Sequence, residues 1–357
     1  MTLRIYTQCE LRSYSCCRFK SLAYEYYMLY PIPAYKVLAA TAMAFLFAAS
    51  FSVHAATINW TNAASGGWNT ATNWKPNSVP STNDTAVITN AGNYSVTLDV
   101  SPTVAGLNLG ASSGSTTQSF FFMGGQTLTV NGPIQVNSQG QFNLNGGALA
   151  GTNVLTGTLT WSGGSMSGIM TLASTSVLNI VAGGGDGFNG LVLTNYGTVN
   201  WTNTTLYSIL GHNAQIYNYG LWNAQSDNTF QGAYNGGPPT LFDNFGTFRK
   251  SGNTGATILD GNVVFNNTGT VNVQSGTLNI NGGGTSSGGY MTTAGGGIIN
   301  FSSYIFTNST TFTGIGNYVA GGATFGGTIV GTLNWDGGSL AGTATLTTNS
   351  VLNIVAG

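Results

Sequence analysis

The chain predicts an all-β parallel β-solenoid of about 23 residues per coil, closed at one end by an N-terminal capping segment. Three observations predict it. Gly157–Gly183 and Gly331–Gly357 match at 18 of 27 positions at a fixed offset of 174. A strand phrase, Gly-Thr-Φ-(Asn/Thr)-Φ with Φ apolar, recurs at Gly157, Gly197, Gly269, Gly276 and Gly331, with a close relative at Gln126. A turn phrase, Asn-x-Gly, ends on Gly197, Gly220, Gly246 and Gly269, at spacings of 23, 26 and 23 residues.

Composition agrees. Only 5% of residues are charged and Gly reaches 53 of 357, against about 25% and 7% in ordinary globular chains. Low charge with 42% hydrophobic residues, including 18 Phe, 16 Tyr and 7 Trp, is the opposite of a disordered composition. The formal charge of −1 gives no electrostatic footprint for nucleic acid or an anionic membrane.

Residues 1–55 are expected to be an upstream extension plus a signal peptide. Val37–Val53 is an apolar run preceded by Lys36 and followed by Val53-His54-Ala55, a small-x-small cleavage pattern. The mature chain would start near Ala56 or Thr57 and be secreted or held at the cell surface. An uncleaved signal anchor is the alternative, the run being at the short limit of a spanning helix. Residues 1–27 differ in composition from the rest of the chain, and Met28 would give a signal peptide of ordinary length; a long targeting extension is the other reading. Cleavage removes Cys9, Cys16 and Cys17, so neither a disulfide framework nor a thiolate metal site is expected. The mature chain keeps no Glu, seven Asp, three basic residues (Lys75, Arg249, Lys250) and His212.

Residues 56–125 are expected to form the cap and first coils. A solenoid end exposes a core cross-section and an unpaired strand edge, which something must cover. Trp60, Trp68 and Trp74, with Tyr94, supply an aromatic cluster for this. Stacking on sugars is the alternative role of the three tryptophans.

Residues 126–357 are expected to be solenoid repeats, with 331–357 opening a second copy of the block that starts at 157. The period-2 alternation places apolar side chains inside and Thr or Asn outside. Gly before a strand supplies backbone freedom for a corner, and Asn at the turn bonds local backbone and tolerates the left-handed region. Stacked in adjacent coils, such asparagines would form a hydrogen-bonded ladder. About 300 mature residues give roughly 13 coils, and the 174-residue offset spans about seven or eight of them.

The opening TINWTNAASGGWNTATNWKPNSVPSTNDTAVITNAGNYSVTLD, together with the Gly-Thr-Leu-Asn-Val-type coils, resembles the N-terminal part of large secreted bacterial β-strand-repeat proteins. These are similar to autotransporter passengers and filamentous-haemagglutinin-like adhesins. The resemblance implies a right-handed parallel β-helix displayed at the cell surface, and it carries over no catalytic residue. It further implies extracellular polysaccharide or cell-surface glycans as partners, with anchoring supplied by a region beyond Gly357.

The chemistry-bearing residues are few. His212, in Leu-Gly-His-Asn, is faintly similar to the Gly-His-Gly loop of β-helix pectin hydrolases, whose accompanying Asn-Thr-Asp, Asp-Asp and Arg-Ile-Lys segments are absent; a corner role is expected. A glycosidase needs two carboxyls a few ångströms apart, and the nearest in sequence are Asp84/Asp99, Asp227/Asp243 and Asp243/Asp260. Arg249-Lys250 is the one basic pair and reads as a solvated strand or loop. Gly184-Gly-Asp-Gly187 offers a single calcium-type turn where a nonapeptide array would repeat it. Outward threonines (Thr158, Thr198, Thr270, Thr277, Thr332) suggest an ice-binding array only if their register holds, and irregular spacing argues that it wanders. The expectation is a non-enzymatic structural or adhesive solenoid with no catalytic, metal or cofactor residue. A polysaccharide-acting β-helix enzyme or a carbohydrate-binding module is the alternative.

Overall fold

The structure, a computed structural model, describes residues 55–181, 187–202, 209–233, 236–307, 310–335 and 339–354. The signal-peptide run and the three cysteines lie outside these residues, as do Asp186 and Asp336. From His54 onward the chain is one compact unit. It is a parallel β-solenoid of about 12 turns with roughly 21-residue spacing. The 23-residue expectation rests on the Asn-x-Gly region, where stacked asparagines are 23, 26 and 23 residues apart; coils with shorter corners pull the average down, as at Asn267 and Ser286, 19 apart.

Each coil gives one strand to each of three parallel stacks. The first stack begins Thr57–Trp60, Thr85–Ile88, Gly106–Leu109 and Pro133–Val136. It continues through Val192–Asn195, Gln215–Asn218, Thr240–Asn244 and Val263–Asn267. The second holds the strand phrases that begin at Gly157, Gly197 and Gly269, with Leu178, Val199, Trp222, Phe248 and Val271 in one inward row. The phrases at Gln126, Gly276 and Gly331 lie in the third. The third carries Ala256–Leu259, Thr277–Ile280 and Ile298–Ser302. Inward side chains of all three make one continuous core, each large apolar group contributing about 1.5–3 kcal/mol by leaving water.

The duplicated block pairs with itself identically in both copies. Leu159 lies against Leu178 and Trp161 against Ile180; Leu333 lies against Leu352 and Trp335 against Ile354. The first pair of strands sits in the second stack and the second pair in the third. The 174-residue offset is therefore eight coils plus one face, and the same sequence starts its coil on a different side of the triangle. Strands built from one alternating phrase make the faces interchangeable.

The corner between the first and second stacks holds the predicted ladder, with its rungs turned inward. Asn195, Asn218, Asn244 and Asn267 end their strands fully buried. The Nδ2 of each of the first three donates to the next Oδ1 at 2.7 Å and also to a backbone carbonyl of Leu221, Thr247 or Thr270 at 3.0–3.2 Å. The chain runs one way, from Gly197 N–H donating to Asn195 Oδ1 to Asn267 Nδ2 donating to Ser286 Oγ at 3.4 Å.

The corner glycines serve close approach, not a left-handed backbone. Gly197, Gly220, Gly246 and Gly269 have ordinary φ, and a Cβ on any of them would come within 2.2–2.3 Å of a carbonyl oxygen in the coil below. Positive φ is used elsewhere, at Gly157 (91°) and Gly276 (65°). We expect Gly246→Ala to push two coils apart and cost about 1–3 kcal/mol, as overpacking does. A chemical-denaturation midpoint unchanged from the parent would contradict this stacking.

Trp60, Trp68 and Trp74 are buried at the N-terminal end and cap it. Trp74 packs edge-on against Trp60 at 5.0 Å and against Trp68 at 4.9 Å, and Trp68 meets Phe120 at 5.8 Å. Trp74 Nε1 donates to Trp68 O at 2.8 Å, and Trp74-Lys75 folds back antiparallel onto Asn59 and Trp60. No ring face is left for a sugar, so the stacking role considered for these tryptophans is corrected to a capping one. The physical reason is that the end of the core is a larger apolar surface than a surface aromatic row could tolerate leaving wet.

Candidate ligand-binding groove

The first four coils carry two adjoining depressions of about 400 Å³ each on the outside of the first stack. Their floor is a row one residue beyond the inward row: Asn59, Val87, Asn108 and Gln135 stand in register. Their lip is the adjoining corner, made by Thr89 and Asn90, by the turn at Ala111–Ser113, and by Asn137.

Local hydrogen bonds set the lip. Asn137 Nδ2 donates to Asn108 Oδ1 at 2.8 Å and to Gly110 O at 2.6 Å, while its own Oδ1 accepts from Gln135 Nε2 at 2.8 Å. Tyr94 Oη donates to Asn90 O at 2.9 Å. Burial pushes the Tyr94 phenol up to about 12, so it stays a donor across the physiological range. The contribution of this contact is fully present below the ordinary tyrosine value of about 10 and is lost as pH rises towards 12.

Asn108 Nδ2 and Gln135 Oε1 have no hydrogen-bond partner among the described residues, leaving one donor and one acceptor facing out of adjacent coils. The lining holds no carboxylate, imidazole, ammonium or guanidinium group. Amides and hydroxyls of this kind hydrogen-bond an uncharged, hydroxyl-rich ligand; they offer no proton donor or nucleophile of shifted acidity.

The carboxylates of the described residues are engaged elsewhere as local acceptors. Partial burial raises the Asp84 carboxyl, but bonds from the Ser81 hydroxyl and amide and from the Ala56 amide outweigh it and hold the group below its ordinary value. Asp99 accepts from Asn69 N–H at 2.8 Å, and Asp260 from Gly232 and Asn262 N–H, both at 2.9 Å. Asp243 accepts from Asn266 Nδ2 at 2.9 Å. Asp227 pairs with Lys250 Nζ at 2.7 Å. Asp227, Asp243 and Asp260 occupy three different places on the coil: the corner after the second stack, the first stack, and the corner after the third.

The remaining sequence candidates fall apart in space or in role. His212 pairs in register with Asn189 and bridges to Ala233, with Gly237 lying against its ring. Arg249 faces outward and donates to Asn223 Oδ1 at 2.9 Å, whereas Lys250 points into the core, so the expectation of a solvated pair is corrected. The alternation that turns Phe248 inward turns Lys250 inward too. Thr158, Thr198 and Thr270 do share one outward row with Thr247, Thr311 and Thr328, and Thr277 and Thr332 lie on the third stack. Register is thus kept where wandering was expected, because corner length varies while the strands stay aligned. Val177, Leu221 and Tyr290 interrupt the row. Among the described residues no three His, Cys, Asp or Glu side chains meet in a way that could hold a metal ion.

Fold and groove together define a parallel β-solenoid with an uncharged polar site on one outer corner. No protein family, curated protein or solved structure matches the chain.

Proposed function

We propose that this chain is a non-enzymatic, exported adhesive solenoid that binds an uncharged extracellular polysaccharide through the amide groove of its first coils. The observation that carries the reading is the pairing of Asn108 Nδ2 with Gln135 Oε1 on neighbouring coils, oriented by Asn137 in a lining without charge. The resemblance to bacterial surface β-strand-repeat proteins, and the apolar run Val37–Val53 before His54-Ala55, support export.

The test is retention of the chain on insoluble cellulose, mannan and xylan. The parent should be retained on at least one, and the double variant Asn108→Ala/Gln135→Ala should lose about tenfold in affinity, as two lost hydrogen bonds of about 0.5–1.5 kcal/mol each imply. Equal retention of the two proteins would remove the groove from the function. Sequencing the N-terminus of the secreted chain should give Ala56 or Thr57; a protein that still starts at Met1 or Met28 would contradict signal cleavage.

A further inference from the structure

The groove floor does not end at the fourth coil. Gln135 lies in register with Thr156, and Leu155, Leu172 and Asn195 succeed one another in the neighbouring inward row. The next outward positions in the same row are therefore Ala173 and Tyr196. The backbone bears out the step, since Ala173 N–H donates to Leu155 O and Tyr196 N–H to Leu172 O, both at 3.0 Å. Beyond Tyr196 the row reads Tyr219 and Phe245, each one residue past a rung of the buried asparagine ladder.

These three rings are the largest group of exposed aromatics on this corner, 50%, 46% and 42% exposed. They stack on one another at 5.1 and 4.7 Å with planes within 18° of parallel. Stacking along the axis occupies the inner ring faces, so a ligand beside them meets ring edges, the two phenol hydroxyls and the outermost faces. The phenol oxygens of Tyr196 and Tyr219 have no hydrogen-bond partner among the described residues. Between groove and rings stand only Thr156 and Ala173, which raise no barrier.

We propose that the groove and the aromatic stack are two parts of one axial track, and that its occupant is an extended, uncharged β-1,4-linked polysaccharide lying parallel to the solenoid axis. This rests on the glycan-binding reading above and adds its direction, length and linkage class. From Asn59 to Phe245 the track crosses eight coil steps, about 38 Å at the strand spacing of about 4.8 Å, far more than a disaccharide covers. A β-1,4-linked pyranose advances its chain by nearly one coil spacing, so each sugar can meet an equivalent position. Between Asn59 and Phe245 the row holds no charged residue; Lys75 stands in register with Asn59 at one end of it, and Asp243 lies two residues from Phe245 at the other. An uncharged polymer therefore matches the length of the track.

The experiment is calorimetric titration of the chain with β-1,4-linked gluco-, manno- and xylo-oligosaccharides as disaccharide, tetrasaccharide and octasaccharide. The expected result is an affinity that rises with length in at least one series, the octasaccharide binding about tenfold or more above the tetrasaccharide. The triple variant Tyr196→Ala/Tyr219→Ala/Phe245→Ala should abolish that length gain while leaving tetrasaccharide binding as in the parent. Circular dichroism of the variant should be unchanged, the three side chains being half exposed. Equal affinity for all lengths, or an unchanged length gain in a folded triple variant, overturns the track and leaves the groove standing. Failure of every oligosaccharide to bind overturns both.

Discussion

Asn218→Asp should be among the most destabilising single substitutions in the solenoid, and its cost should depend on pH. Asn218 Nδ2 donates at 2.7 Å to Asn244 Oδ1 and at 3.1 Å to Thr247 O, while its Oδ1 accepts from Asn195 Nδ2 at 2.7 Å. An aspartate can replace only the acceptor half. Ionised, it would bring a buried negative charge against two oxygens, an uncompensated charge of the kind that costs about 3–5 kcal/mol. Burial and those acceptors would raise its pKa above the ordinary aspartate value of about 3.9. A raised carboxyl means that the folded state holds the proton longer. Stability is then best below about pH 4 and falls as pH rises, the reverse of the usual acid denaturation. Asn218→Leu, which fills similar space, should cost less, about 1–3 kcal/mol for the orphaned Asn244 Oδ1, and show no such pH slope. Urea titrations of both variants from pH 3 to pH 8 would check this; parallel pH profiles would contradict the ladder.

Asp227→Ala and Lys250→Met should differ sharply although they break the same ion pair. Lys250 has a fully buried side chain, while Asp227 is 32% exposed. The ammonium stands in an inward row between Ala224 and Val273, donating to Asp227 at 2.7 Å and to Asn253 O at 3.1 Å. Removing the carboxylate leaves a cation in the core with one carbonyl, at a cost of about 3–5 kcal/mol. Removing the lysine leaves a partly solvated carboxylate that still accepts from Gly255 N–H at 2.9 Å, and methionine fills the vacated space, so the change should be near neutral or stabilising. Because solenoid stability is close to a sum of local terms, the loss in Asp227→Ala should show as faster amide exchange in the coils around residues 224–273. Equal effects of the two substitutions would show that the pair is worth no more than a surface contact.

The architecture is readable in the sequence because each coil repeats the same local chemistry. The Asn-x-Gly spacing locates all four ladder rungs, and the tryptophan cluster locates the cap. The role of the corner glycines is not legible, since spacing cannot distinguish a residue that needs positive φ from one that needs no Cβ. A basic pair in a turn-rich segment such as Arg249-Lys250 ordinarily is solvated, whereas alternation from Phe248 points Lys250 inward. The groove is illegible. Asn59, Asn108 and Gln135 belong to coils of unequal length and share no motif, and they become neighbours only once register is known. The same holds for Tyr196, whose link to Gln135 runs through Thr156 and Ala173, residues with nothing to mark them.

If the outer row binds a neutral polysaccharide and leaves it intact, binding and cleavage separate in one sample: the folded chain is incubated with the polysaccharide on which it is best retained, and bound protein and newly formed reducing ends are scored together. Saturable binding is expected, with reducing ends at the level of buffer alone. Reducing ends that accumulate with time and protein concentration, or no saturable binding to any neutral polysaccharide, would contradict it.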